Sequence, residues 1–272
     1  MVRSLWTGAT GMRAQQINLD TIANNLANVN TTGYKSQTNE FRTLLYQTIQ
    51  SETTSANGAN KPGSAQVGLG VRNGAINTNF TQGALLASDS NTAFAIDGTG
   101  FFGIKHADGN TYYTRNGTFQ WSLGDGNTNM LVDSSGNPVL DTNGKSIVLD
   151  QKYIINKITI TTDGNVCYPD VNNNAQPIGV KIGLYQFSNP NGLKREGEGL
   201  YSVTAASGEA LNEETTAGLK KSSIVQGYLE GSNVAVVDEM VNMITTQRAY
   251  EFNSKIITTT DTMMEQANNL RR

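Results

Sequence analysis

Residues 4–30 read SLWTGATGMRAQQINLDTIANNLANVN, and residues 233–270 read NVAVVDEMVNMITTQRAYEFNSKIITTTDTMMEQANNL. In the first stretch Leu5, Met12, Leu19 and Leu26 recur every seven residues. Ile22 and Val29 fall three after Leu19 and Leu26, completing the a and d spacing of a helical seam. Gly8 and Gln15 hold the earlier d positions, so the seam thins toward the start. Asn28, Asn30, Thr31 and Thr32 then compete with the helical backbone for hydrogen bonds, and Gly33 accepts a left-handed cap, so the helix is expected to end between Asn28 and Gly33. In the second stretch Val237, Val241, Ile244, Phe252, Ile256, Met263, Ala267 and Leu270 share one stripe, interrupted by Arg248 and Thr259. Its steps average about 3.67 residues, nearer straight or faintly right-handed packing than a heptad supercoil. At 1.5 Å per residue this helix would run roughly 57 Å, longer than most globular domains need.

Between these helices the pattern changes. Phe94-Ala95-Ile96 precedes Asp97-Gly98, and Phe101-Phe102-Gly103-Ile104 precedes Asp108-Gly109-Asn110. Similar turn signals follow around Asp133, Asp141 and Asp163. Strand and turn at such short intervals predict antiparallel hairpins in a sandwich or barrel-like domain. Residues 51–66 carry no aromatic or large aliphatic side chain and read from composition as a flexible linker. The expected fold is therefore α+β. Residues 1–33 and 234–272 would pair as a coiled-coil-like helical core domain, 34–75 and 222–233 would connect, and 76–221 would form an outer antiparallel β-rich domain.

The chain has 272 residues, 16% of them charged, and a net charge of -3. That balance argues against nucleic acid or an anionic membrane as partner, since both call for a basic face. Cys167 is the only cysteine, and no apolar run reaches the roughly 18 residues of a membrane helix. The N-terminus lacks the apolar region of a secretory signal, so the chain is expected to be cytosolic or to leave by a route that reads no cleaved signal.

No motif makes a case for catalysis. Gly98-Thr99-Gly100-Phe101-Phe102-Gly103 has dinucleotide-fingerprint spacing, but a strand-like run follows it and no acidic residue stands about 20 positions on. The acidic turns around Asp125, Asp133 and Asp141 lack the EF-hand order of Gly and Glu. His106, the only histidine, has no histidine partner for a metal, and Cys167 reads as a small core filler. No cofactor, metal or small-molecule substrate is expected.

Interaction surface remains. Pairing the tails within one chain closes a loop of roughly 200 residues, at about 5 kcal/mol. Six apolar seam residues would offset this at about 1.5–3 kcal/mol each if fully buried, but ordering two helices costs at least as much again. A lone pair of tails is marginal; a bundle shared with neighbouring copies is not.

Ile22-Ala23-Asn24-Asn25-Leu26-Ala27-Asn28-Val29-Asn30-Thr31-Thr32-Gly33-Tyr34-Lys35 resembles the N-terminal signature of the bacterial flagellar rod and hook family. Val241-Asn242-Met243-Ile244 with Gln247-Arg248-Ala249-Tyr250-Glu251 resembles its C-terminal one. Tyr113 to Phe119 and Gln226 to Val234 match as well, and the opening Arg3 to Met12 is most similar to the distal-rod branch. One departure is the stretch 121–155, which looks longer than usual. The resemblance implies a structural, non-enzymatic subunit of the basal body. It would be exported by the flagellar type III apparatus without signal cleavage, into the periplasm and cell envelope. There it would polymerise with itself into a hollow, torque-transmitting rod, between proximal-rod proteins and the hook protein, inside ring proteins where an outer membrane is present. The resemblance also recasts 51–66 as an ordered contact between subunits. A hook or proximal-rod subunit, or an extracellular oligomeric β-rich binding module, is the alternative. Arg248 and the stretch Asn24 to Asn30 are expected to set helix register where apolar contact is thin.

Overall fold

The structure is a computed structural model describing residues 2–50, 64–124, 126, 128–170 and 174–270. Most of the polar stretch 51–66, namely 51–63, lies outside the described residues, as does Asp125. The chain divides into two compact units, one of residues 1–27, 37–78 and 235–272, the other of 28–36 and 79–234.

The first unit holds helix α1 (Val2–Ala27), strands β1 (Gln37–Thr43), β2 (Tyr46–Gln50), β3 (Ala65–Gly68) and β4 (Val71–Thr78), and helix α2 (Val236–Asn269). β1 and β4 pair antiparallel from Gln37 opposite Thr78 to Thr43 opposite Val71, with a bulge after Glu40; β2 and β3 form a second antiparallel ribbon. α1 packs on β1 and β4. At the crossing, Thr10 Oγ1 accepts the Val71 N–H at 3.4 Å. Gly70 makes this approach possible, with φ +114° and a position where a Cβ would stand 2.1 Å from Thr10 Oγ1.

α1 ends at Ala27, three residues before Asn30. The Thr31 N–H bonds to Asn28 O at 3.1 Å and its hydroxyl to Asn28 Oδ1 at 3.2 Å, a local alternative to another helical turn. Val29 therefore sits in a turn, two residues past the end of the helix. α2 starts three residues after Asn233. That side chain is spent elsewhere in the second unit, accepting from Ser36 N at 2.7 Å and donating to the Asn79 and Thr81 carbonyls.

The second unit is β-rich and antiparallel. Its largest sheet runs Lys194–Gly197, Leu200–Ser202, Thr111–Thr114, Phe101–Lys105, Leu184–Gln186, Leu211–Asn212. Alternation along Phe101–Lys105 sends Phe102 and Ile104 to one core with Phe94, Ile96 and Phe119, and Phe101 to a second with Tyr113, Tyr185, Phe187 and Tyr201. The glycine run at 98–103 is a turn and a strand. Gly98 to Gly100 joins Phe94–Asp97 to Phe101–Lys105, and a Cβ at Gly103 would lie 2.6 Å from the Tyr185 ring. Asp133 Oδ1 caps its own turn, accepting from Ser135 N at 2.9 Å and Asn137 N at 2.8 Å. The expected α+β layout, a helix at each end and antiparallel strands between, is the fold observed. No helix among the described residues is long and apolar enough to cross a membrane.

Candidate assembly surface

The buried positions of α1 are Gly8, Gly11, Ala14, Thr21, Ile22 and Asn25, small or polar apart from Ile22. Gly8 is a close approach to α2 more than a gap in a seam, since a Cβ there would meet Ile257 at 3.1 Å. Across from it, α2 offers Thr246 and Thr260 as its buried residues. Asn18 Nδ2 donates to Thr246 Oγ1 at 2.9 Å, and Ser4 Oγ lies 3.4 Å from Thr260 Oγ1. The buried Asn25 amide donates to Glu239 Oε1 at 2.9 Å and to Gln37 O at 2.8 Å, while its oxygen accepts from Gln37 N at 2.9 Å. One side chain thus ties α1 to both α2 and β1.

The apolar residues picked out from periodicity lie elsewhere. Leu5, Met12, Leu19 and Leu26 stand one position past Ser4, Gly11, Asn18 and Asn25 and are half-buried; Ile22 is buried. On α2, Val237 (73% exposed), Val241, Ile244, Phe252 (67%), Ile256 and Met263 are all exposed, as is Leu270 just past its end. At about 100° per residue, Val237 and Ile244 point roughly 160° away from the face holding Glu239 and Thr246. The two faces differ in period. The contact face repeats every seven residues through Glu239, Thr246, Asn253 and Thr260, whereas the apolar stripe drifts at about 3.67 per step. The stripe therefore winds from the back of α2 toward its flank. Arg248 stays on its own helix, bonded to Glu251 Oε2 at 2.9 Å with both side chains exposed. Gln247 is exposed, and Tyr250 lines a groove with Gln15, Gln16 and Leu19 of α1. Leu45, Tyr46 and Ile49 on and beside β2 add a second exposed apolar patch.

In the second unit three buried charges meet. Glu230 Oε1 takes the Lys35 ammonium and Oε2 the Arg115 guanidinium (Nη1, 3.3 Å), with all three side chains 0–1% exposed. Lys35 Nζ also donates to Thr81 O at 2.8 Å, Arg115 Nη2 to Gly98 O at 2.8 Å, and Gly83 N to Glu230 Oε1 at 3.0 Å. Burial pushes the Lys35 ammonium below its ordinary range, with Glu230 pulling the other way; the Arg115 guanidinium is lowered for the same reason, and Glu230 and Glu213 resist. Gly33 closes the cluster with φ +70° and its N–H on Glu230 O at 2.8 Å; a Cβ there would strike the Asn116 backbone at 2.6 Å.

His106 sits in an exposed turn 3.2 Å from Asp108, Cys167 is buried, and no three metal-ligating side chains cluster among the described residues.

Three parts of the chain are similar to known flagellar proteins. Residues 5–35 match the description "Flagella basal body rod protein", 95–168 match "Flagellar hook protein FlgE/F/G D1 domain", and 225–270 match "Flagellar basal body rod FlgEFG protein C-terminal". The chain is 43% identical to flagellar basal-body rod protein FlgG of Borreliella burgdorferi over 278 aligned positions, covering all of both chains. It is 41% identical to that of Buchnera aphidicola subsp. Schizaphis graminum, covering 99% of this chain and 100% of that one. Identity to the Bacillus subtilis protein is 37%, again over the whole of both chains. The chain belongs to the flagellar basal-body rod protein family.

The buried charges draw on every matched segment of this flagellar rod chain: Lys35 lies in the first, Arg115 in the second and Glu230 in the third. Among the signature residues, Asn25 and Gly33 have the structural roles given above, while Asn24, Asn30 and Thr31 are exposed and Asn28 and Tyr34 half-buried. Sequence reading missed Ser4, Gly11, Asn18, Glu239, Thr246, Asn253 and Thr260. Their signal was present as a seven-residue recurrence of small and polar residues, invisible to a search for apolar ones.

Proposed function

We propose that the chain is a structural subunit, not an enzyme, that polymerises into the distal part of the flagellar rod and transmits motor torque to the hook. The observation carrying this reading is the stripe on α2, where Val237, Val241, Ile244, Phe252, Ile256 and Met263 stay exposed on a helix of 34 residues. So long an apolar edge is a liability on a solitary chain and a joint in a polymer. Neighbouring copies of the chain cover it, so α1 and α2 form a coiled-coil-like core domain shared between subunits. The β-rich second unit is the outer domain, starting at Asn79 and not at residue 76, since Ile76 to Thr78 pair with β1 in the first unit. Proximal-rod proteins and the hook protein are the partners at the two ends of the polymer, the type III export apparatus delivers the chain without cleaving a signal, and ring proteins surround the rod where an outer membrane exists. Relatives named as rod proteins align along their full length, which favours rod over hook.

The test is Val241→Asp with Phe252→Asp, examined by electron microscopy under polymerising conditions. Full burial of each native side chain is worth about 1.5–3 kcal/mol, so the pair should raise the critical concentration by two orders of magnitude or more while the second unit melts unchanged. Tubes growing at the wild-type concentration would overturn the reading.

A further inference from the structure

Among the contacts that join α1 to α2, four form a ladder with polar side chains, and each step of seven along α1 is matched by a step of seven back along α2. Ser4 meets Thr260 at 3.4 Å, Asn18 meets Thr246 at 2.9 Å, and Asn25 meets Glu239 at 2.9 Å. Between the first two, Gly11 faces Asn253, whose side-chain amide fills the space a Cβ would take at 2.9 Å. Apolar contacts are non-directional and tolerate a slide of one helix past the other; polar partners at seam positions do not, which is how a single buried Asn can fix the register of a helix pair.

From this arrangement we infer that the ladder of rungs 4·260, 11·253, 18·246 and 25·239 sets the axial register of the two helices. A slip by one heptad toward the end of α2 brings the Asn253 amide from the gap above Gly11 onto Asn18, and leaves Glu239 without its Asn25 partner. A slip the other way sets Asn253 on Ser4 and carries Asn25 past Glu239, off the start of α2 at Val236. The match of a large amide to a glycine, one rung from an Asn–Thr pair, makes the native alignment the only one with every rung filled. It also decides where the outward stripe of α2 stands along α1. The inference concerns pairing within one chain and does not require the polymer.

The experiment uses the full-length chain with Cys167→Ala and two reporter pairs. Ser4→Cys with Thr260→Cys reports the native register; Ser4→Cys with Ala267→Cys reports a one-heptad slip. Intrachain disulfide under mild oxidation should form at least tenfold faster in the first pair. Adding Asn18→Leu, Asn25→Leu, Thr246→Leu and Asn253→Leu should bring the ratio to about three or below. A gentler variant, Asn18→Leu with Thr246→Leu alone, should lower it about threefold, while Thr246→Ser, which keeps the hydroxyl, should leave it unchanged. The inference is overturned if the ratio is near one in the intact ladder, if neither pair closes, or if the gentler variant holds the full preference. Tube growth is scored separately, so a chain that keeps its register but does not polymerise counts only against the proposed function.

Discussion

Replacing Glu230 by Gln removes one negative charge and almost no volume from the second unit. Lys35 and Arg115 then face each other across an amide, both 0–1% exposed and without the carboxylate that offsets their desolvation. Breaking a buried ion pair by removing one partner costs about 3–5 kcal/mol, because the remaining charge is stranded. Glu213, itself buried and held by Ser222 and Gln186, softens the field at Arg115 but does not touch it, so about 3 kcal/mol is the floor. For a unit of this size each kcal/mol lowers the melting temperature by about 2–4 °C, giving a drop of about 6–20 °C. Calorimetry at pH 7 on the full chain measures it. Adding Lys35→Met should recover at least about 1.5 kcal/mol of the loss, since it removes one of the stranded charges; additive losses would mean the charges do not communicate. A Glu230→Gln chain that melts within about 2 °C of wild type would refute the reasoning.

Two further expectations follow from the second unit. Burial pushes the Tyr113 and Tyr201 hydroxyls up to about 12, so the folded state keeps protons that the unfolded chain releases above about pH 10. Their contribution is intact below pH 10 and is lost as pH rises toward 12, at up to about 1.4 kcal/mol per pH unit for each; the depressed Lys35 acts in the opposite sense below its ordinary value. Urea midpoints at pH 8 and pH 11 should fall accordingly, and Tyr113→Phe with Tyr201→Phe should flatten the slope. Gly103→Ala should cost about 1–3 kcal/mol by overpacking the Tyr185 ring, and Tyr185→Leu should relieve most of that penalty in a denaturant titration of the double variant.

Much of the architecture was legible because it rests on short-range rules. Strand-turn units such as Phe101 to Asn110 carry their own alternation and turn residues, so a β-rich middle followed from local pattern. Helices at the two ends followed from periodicity over a long window. Their limits were less legible: Asn233 lies beside a helix end and is drawn off it by Ser36, Asn79 and Thr81, partners that only the fold supplies. The buried charges were harder still. Lys35, Arg115 and Glu230 each stood in a recognisable motif, yet a lone Lys or Arg in a sequence reads as surface.

The α+β plan and the family were already carried by the sequence, because periodicity, turn chemistry and motif identity are all set by neighbours along the chain. Which face of each terminal helix meets the other was decided only in three dimensions. The apolar stripe of α2 was the obvious candidate for that contact, and it faces outward. Two glycines let α1 approach closely enough for hydroxyls and amides to pair across the gap, and these pairs share the inner face with apolar side chains such as Ile22 and Ile257. The greasy edge is left free, which is the arrangement a subunit needs if its strongest contacts are to be made with other copies of itself.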